Sequence, residues 1–407
     1  MEARLWSDLP EDLTEKVLTK LPVSGVLRLR AICKAWNSLI LSRNLLSLCR
    51  EEPSPTPCLL GTSADCESFV GYNPSSRKWF DLCLTFPDPA LRPRVYLAAS
   101  AGGLLCFAAT IDEVAAFFVC NPTTRSWRQL PPPALKVLPR VSFGHHLDLA
   151  TCMLFDESSR HYKIVVVGNA TSGWYRITQI YDSCTGSWKR LGGAIPQDVD
   201  FRSYGLVCKG HIYYMMAGLS IKVMSMNVDA GLWSKLEAPL PRFLVRPRLV
   251  ERGGSLLLVG GVHKYWRQGW NSLKPQSVRI WELDQINMVW VEIGRMPEDV
   301  HSHFVATLGH ETQDFKCAGL GQLMFFTSRC SWGFSLVMFN FLTREWTWIP
   351  YPEKMSLVDD VLIFQAMGSY VCVSEREIER NLCMEGFFAW HHPHHDSSSW
   401  KPKLLAS

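Results

Sequence analysis

One phrase, repeated six times, constrains this chain more than any other feature. An aromatic or apolar strand ends in Asn or Asp, a short turn follows, and a Trp opens the next strand. The copies are "YNPSSRKWFDL" from Tyr72, "CNPTTRSWRQLP" from Cys120, "YDSCTGSWKRL" from Tyr181, "MNVDAGLWSKLEAP" from Met226, "WELDQINMVWVEI" from Trp281 and "FNFLTREWTWIP" from Phe339. Their Trp residues (Trp79, Trp127, Trp188, Trp233, Trp290 and Trp346) are spaced by 48, 61, 45, 57 and 56 residues. A period of this kind marks a repeat architecture, in which each supersecondary unit buries its apolar faces only against its neighbours. It also explains why a chain of 407 residues carries 16 Trp.

A second phrase lies upstream of several copies, a Gly-rich step before an apolar strand: "AGGLLCFAA" from Ala101, "VCKGHIYYMM" from Val207, "ERGGSLLLVGG" from Glu251 and "LGQLMFF" from Leu320. Glycine there permits a tight turn or a close backbone approach. Strand, Gly turn, strand, strand, Asn/Asp turn and Trp strand make a four-stranded blade. Blades of this type stack radially, with each Trp expected in the core against a neighbour. The fold class is therefore mainly β, a six-bladed propeller. The first repeat lacks room for its early strands between Pro57 and Tyr72, whereas "VLIFQAMGSYVCVSE" (361–375) has no Trp phrase after it. C-terminal strands are thus expected to complete the blade that N-terminal strands begin, leaving no open sheet edge.

The first forty or so residues read differently. Apolar residues recur at Leu9, Leu13, Val17 and Leu21, with Leu18 beside them, the spacing of one helix face. Ser7 or Asp8 is expected to cap this helix, with Pro10 in its first turn and Glu11 and Asp12 at the positive end of its dipole. Pro22 ends it. Ser24 is expected to cap a second helix carrying Val26, Leu27 and Leu29, and a third runs from about Lys34 with Trp36, Leu39 and Ile40. A module of roughly forty residues has too small a core to stand easily alone, which points to completion by a partner.

Here two resemblances enter. "LPEDLTEKVLTKLP" followed by "VLRLRAICKAWNSLI" resembles the F-box: two Leu-Pro pairs, a Leu-Arg step, then Cys-Lys-x-Trp. The repeats resemble kelch-type propellers, specifically those of plant F-box/kelch-repeat proteins. Together these imply a substrate-recognition subunit of an SCF ubiquitin ligase, whose F-box docks onto a Skp-family adaptor and through it onto cullin and RING subunits. Carried over position by position, Leu9, Pro10, Leu13, Val17, Leu21, Pro22, Leu27 and Trp36 match the family's motif, and some of them must fill the module's own core. The domain boundaries read as 1–50 for the F-box module, 51–57 for a Pro-rich hinge, 58–390 for the propeller and 391–407 for a polar tail.

Other classes find less support. A net charge of +4, with no Lys/Arg stripe, does not favour a nucleic-acid partner. No run of eighteen apolar residues spans a bilayer and no signal peptide is visible, so no membrane role is expected. The 14 Cys are scattered without a CxxC pair, and Cys106, Cys208 and Cys372 sit in apolar runs. Free buried thiols in a reducing compartment, nucleus and/or cytoplasm, are the expectation. No phosphate loop, GxSxG or supported Cys/His pairing marks catalysis, and no cofactor or metal is expected; "GHHLD" at Gly144, "HSH" at His301 and "HHPHH" at His391 read as solvated or incidental His clusters. Target recognition is assigned to loops between second and third strands: "NATSGWYR" with Trp174, "VHKYWRQGWNSLKP" with Tyr265, Trp266, Arg267 and Trp270, and "SRCSWGF" with Arg329 and Trp332. These residue types dominate binding hot spots, although the same loops would also serve as aromatic caps on the propeller's own rim. A kelch scaffold that binds a protein independently of ubiquitination has the same sequence, and a propeller enzyme would instead bind a ligand or metal in its central channel.

Overall fold

The six Asn/Asp residues of the repeated phrase end the third strand of their units, and their side chains build the turns that follow. In a computed structural model, which describes residues 9–45, 58–84, 95–136, 149–263, 275–306, 315–350 and 365–367 apart from short interruptions, the acceptor is in each case the side-chain Oδ1. Asn73 accepts from the N–H groups of Ser75 and Ser76 at 2.9 and 3.2 Å, Asn227 from Asp229 and Ala230 at 3.1 and 2.9 Å, and Asp284 from Ile286 and Asn287 at 2.9 and 3.0 Å. Asn340 repeats the pair with Leu342 and Thr343, and Asn121 and Asp182 accept from the N–H groups of Thr124 and Cys184. Short polar side chains that mimic a backbone turn are why only Asn and Asp occur there. Four residues on, the backbone turns left-handed in every copy: Arg77, Arg125, Gly186, Gly231, Met288 and Arg344 all have positive φ. Two residues further stands the Trp, opposite the residue before the Asn/Asp, as in Tyr72 with Trp79 and Phe339 with Trp346.

Among the described residues the strands form six antiparallel units, here called blades. Blade 1 holds Cys58–Thr62, Phe69–Asn73 and Lys78–Asp81; blade 2 holds Val95–Ala101, Leu104–Ile111, Val114–Asn121 and Ser126–Gln129; blade 3 holds Ala150–Phe155, Tyr162–Ala170, Arg176–Asp182 and Ser187–Leu191. In blade 4 the first strand is split into Asp200–Phe201 and Leu206–Cys208, followed by His211–Ala217, Ile221–Asn227 and Leu232–Lys235. Blade 5 holds Leu244–Arg252, Ser255–Val262, Ser277–Asp284 and Val289–Arg295, and blade 6 holds Phe315–Leu320, Leu323–Cys330, Gly333–Asn340 and Trp346–Trp348. The missing first strand of blade 1 is Gln365–Met367, which pairs Cys58 with Met367 and Leu60 with Gln365. Both ends of the propeller sequence therefore meet in one sheet. Leu135–Lys136, too short to read from sequence, pairs with Val114 of blade 2 and with Asn169 and Ala170 of blade 3, joining their sheets.

Apolar clusters run around the ring between successive blades. Val165, Ile180, Tyr214 and Met226 join blades 3 and 4, Val259, Ile280, Phe326 and Phe339 join blades 5 and 6, and Leu59, Tyr72, Phe325 and Met338 join blades 6 and 1. The repeat Trp residues differ from expectation here: all six are half-buried, because the fourth strand is the outermost of its blade. Two of the rings cover fully buried aromatics, Trp233 on Tyr214 at 5.4 Å and Trp346 on Phe326 at 5.2 Å between ring centroids. The indole N–H groups of Trp79, Trp188 and Trp233 reach the preceding blade. Trp188 Nε1 donates to the Pro131 carbonyl at 2.6 Å, and Trp79 Nε1 donates to the Pro350 carbonyl at 2.6 Å, so the junction of blades 6 and 1 repeats the bond made between blades 2 and 3.

The buried thiols match expectation among the described residues. Cys106, Cys152 and Cys208 are buried and free, and burial pushes the Cys152 thiol up to about 12. Three helices lie at the N-terminus, α1 (Glu11–Thr19), α2 (Val23–Ile32) and α3 (Lys34–Ile40). Two caps are corrected. Pro10, expected inside the first turn, is instead the residue before α1, its carbonyl accepting from the N–H groups of Leu13 and Thr14 at 3.0 Å; Ser7 and Asp8 lie outside the described residues. Ser24 falls inside the first turn of α2. The 51–57 hinge, the propeller segment beyond Met367, Cys372 and the 391–407 tail lie outside the described residues.

Candidate functional site

Helix α1 has two faces of different fate. Leu18 is 1% exposed, and Val26, Ile40 and Leu45 are likewise buried, whereas Leu13 and Val17, one turn apart, are 49% and 40% exposed. Ile32 at the end of α2 is 65% exposed, a residue that motif matching passes over. Of the other motif positions, Pro10 is exposed, and Leu9, Leu21 and Trp36 are half-buried. Pro22 lies outside the described residues, as does the side chain of Leu27. The inward face of α1 is largely polar: Thr14, Glu15 and Thr19 are buried. The Thr14 hydroxyl donates to the Pro10 carbonyl at 3.2 Å, the Thr19 hydroxyl to the Lys16 carbonyl at 2.8 Å, and Ser42 Oγ to Glu15 Oε1 at 3.4 Å, which lets these groups leave water.

Antiparallel pairing puts the turns joining first to second and third to fourth strands at one end of each blade, and the loops joining second to third strands at the other. The loops singled out in the sequence are those that join second to third strands in blades 3, 5 and 6. Trp174, Tyr265, Trp266, Arg267, Trp270 and Trp332 lie outside the described residues; Arg329 is placed by its backbone, paired with Phe334. One element of this end was not foreseen. Helix α4 (Glu298–Ala306) leads from blade 5 to blade 6, burying Val300 and Phe304 while exposing Glu298, Asp299, Ser302 and His303. Ser328 Oγ donates to the Phe304 carbonyl at 3.4 Å, fixing the helix beside the end of a second strand. His301, read from the sequence as part of a His cluster, is half-buried on α4, and burial lowers its pKa. Among the described residues no group of three or more His, Cys, Asp and Glu gathers into a metal site, and no helix is long and apolar enough to cross a membrane.

The helical module touches the turn end. Arg30 on α2 donates through Nε to Asn37 Oδ1 at 2.8 Å and extends Nη2 to the Thr124 carbonyl of blade 2 at 3.5 Å. The protein is thus a helical module with an outward apolar face, set on the turn end of a repeat propeller. Comparison with known proteins agrees. Residues 6–48 match the F-box domain and residues 71–327 match the KIB1-4 beta-propeller family. F-box only protein 6 of Arabidopsis thaliana is 31% identical over 86% of this chain and 70% of its own length. Protein UNUSUAL FLORAL ORGANS of the same plant is 27% identical over 86% of this chain and 80% of its own, and an F-box/kelch-repeat protein is 28% identical over 88% and 86%. SKP1-interacting partner 15 of Arabidopsis thaliana is 23% identical over 81% and 89%. The chain belongs to the plant F-box/kelch-repeat proteins, with a KIB1-4 beta-propeller.

Proposed function

We propose that this protein is the target-recognition subunit of an SCF-type ubiquitin ligase, acting in the nucleus or cytoplasm. The observation that carries this reading is the outward face of α1 and α2. Leu13, Val17 and Ile32 remain in water while Leu18 fills the module's own core, so apolar surface is left for a partner. The partner that fits an F-box is a Skp-family adaptor, and a relative of similar architecture carries that partnership in its name. Through the adaptor the chain would join cullin and RING subunits. Its contribution to ubiquitination is proximity: holding a target lysine near the charged conjugating enzyme raises its effective concentration without a reactive group from the receptor.

Target capture is assigned in this reading to the loop end, through Trp174, Tyr265, Trp266, Arg267, Trp270, Arg329 and Trp332; α4 leads from blade 5 to blade 6 at the same end. Supporting this is the division of labour between the two ends, since the helices occupy the other one. Co-purification with a Skp-family adaptor tests the reading, beside a variant carrying Leu9→Ala and Pro10→Ala. Binding lost in the variant supports the receptor role. A folded wild-type chain that captures no adaptor overturns it, and stable partners that are bound but never degraded with the cullin complex present would make the chain a binding scaffold.

A further inference from the structure

A receptor must hold its target-binding end at a set angle to the adaptor, and the propeller and helices are distinct modules. We propose that Arg30 is a positioning residue, clasping the helical module to the third-to-fourth turn of blade 2 and so directing the loop end away from the adaptor-bound helices. The consequence for ubiquitin transfer rests on the receptor reading above; the clasp itself does not.

Three observations support it. The guanidinium is aimed before it reaches the propeller, because Asn37 on the next helix accepts from its Nε at 2.8 Å. The turn that receives it is stiff: Asn121 Oδ1 accepts from the Thr124 N–H at 3.2 Å, the Asn121 carbonyl from the Arg125 N–H at 2.8 Å, and Thr124 Oγ1 bonds Ser126 Oγ at 2.7 Å. A pull on Thr124 is therefore a pull on the whole blade. Thirdly, the clasp is weak by construction. Its Nη2 to carbonyl contact is 3.5 Å, long for a charged donor, and Arg125, the left-handed residue next to Thr124, brings a like charge to the joint. Burial first, and then the charge on Arg125, lower the pKa of Arg30. Attraction to the Thr124 carbonyl is thus set against repulsion from the neighbouring guanidinium.

Hydrogen exchange on the full chain tests this without any target. Arg30→Ala is expected to speed exchange of the Thr124 to Trp127 amides about three- to tenfold, and Asn37→Ala, which leaves the charge but not its aim, to move them in the same direction. Arg125→Ala should slow them. Amides of Ser255–Val262 in blade 5 serve as the control and should not change. In a reconstituted ligase, Arg30→Ala should bind the adaptor as well as wild type yet spread self-ubiquitination over a different set of lysines. Unchanged exchange at Thr124 to Trp127 in Arg30→Ala overturns the clasp, and changed exchange with an unchanged lysine map overturns its positioning role. A chain that binds no adaptor at all overturns the receptor reading instead, and the exchange result still decides the clasp.

Discussion

Asn227 and Asp284 perform one geometric task with different chemistry. Each side chain accepts from two backbone N–H groups and closes a turn. Asn227→Ala leaves those donors to water and should cost about 1 kcal/mol, read as a lowered thermal midpoint, while Asn227→Asp should keep the fold. Asp284 adds a charge. The Asn287 N–H foremost, then the Asn287 side chain and the Ile286 N–H, lower its pKa in the folded chain. A group depressed on folding contributes stability that is present above its unfolded value, near ~3.9, and lost as pH falls through the folded one. Acid melts of Asp284→Asn should therefore show less loss of stability below that pH than wild type. Gly186 makes a third case: at φ +68°, with nothing nearer than 3.8 Å to an added Cβ, Gly186→Ala meets backbone strain alone. It should cost about 1 kcal/mol by thermal denaturation.

At the scale of elements, α1 shows both what the sequence reveals and where it misleads. The four-residue pitch of Leu9, Leu13, Val17 and Leu21 announces a helix, and a helix is present at Glu11–Thr19. Which face turns inward was not legible. Of the motif's apolar stripe, Leu13 and Val17 face outward, while Thr14, Glu15 and Thr19 turn inward, where local carbonyls and Ser42 satisfy the polar groups. The two faces make opposite predictions. Leu18→Ala should destabilise the module by roughly 2–4 kcal/mol, seen as faster hydrogen exchange in α1. Leu13→Asp with Val17→Asp should leave exchange unchanged and abolish adaptor capture. The strands were more readable, since turn chemistry and Trp recur at fixed offsets in every blade. Leu135–Lys136 escaped because two residues carry no period, and α4 escaped because "EDVHSHFVA" (298–306) drew attention by its His residues rather than by Val300 and Phe304.

For the whole molecule the decisive feature is the seam in blade 1, where Gln365–Met367 lies beside Cys58–Thr62. The need for closure was legible from what the first repeat lacked; the three residues that supply it were not separable from the apolar run around them. Removing everything from residue 361 onward should leave Cys58–Thr62 as an exposed strand edge, giving a broad thermal transition and aggregation in light scattering. The same seam sets an order of events during synthesis. The adaptor-binding helices leave the ribosome first, whereas the propeller must wait for Met367 before its last sheet can form. A newborn chain can thus display its helices while its propeller is still an open ring, and any prematurely terminated product would carry a complete helical module beside an unclosed propeller.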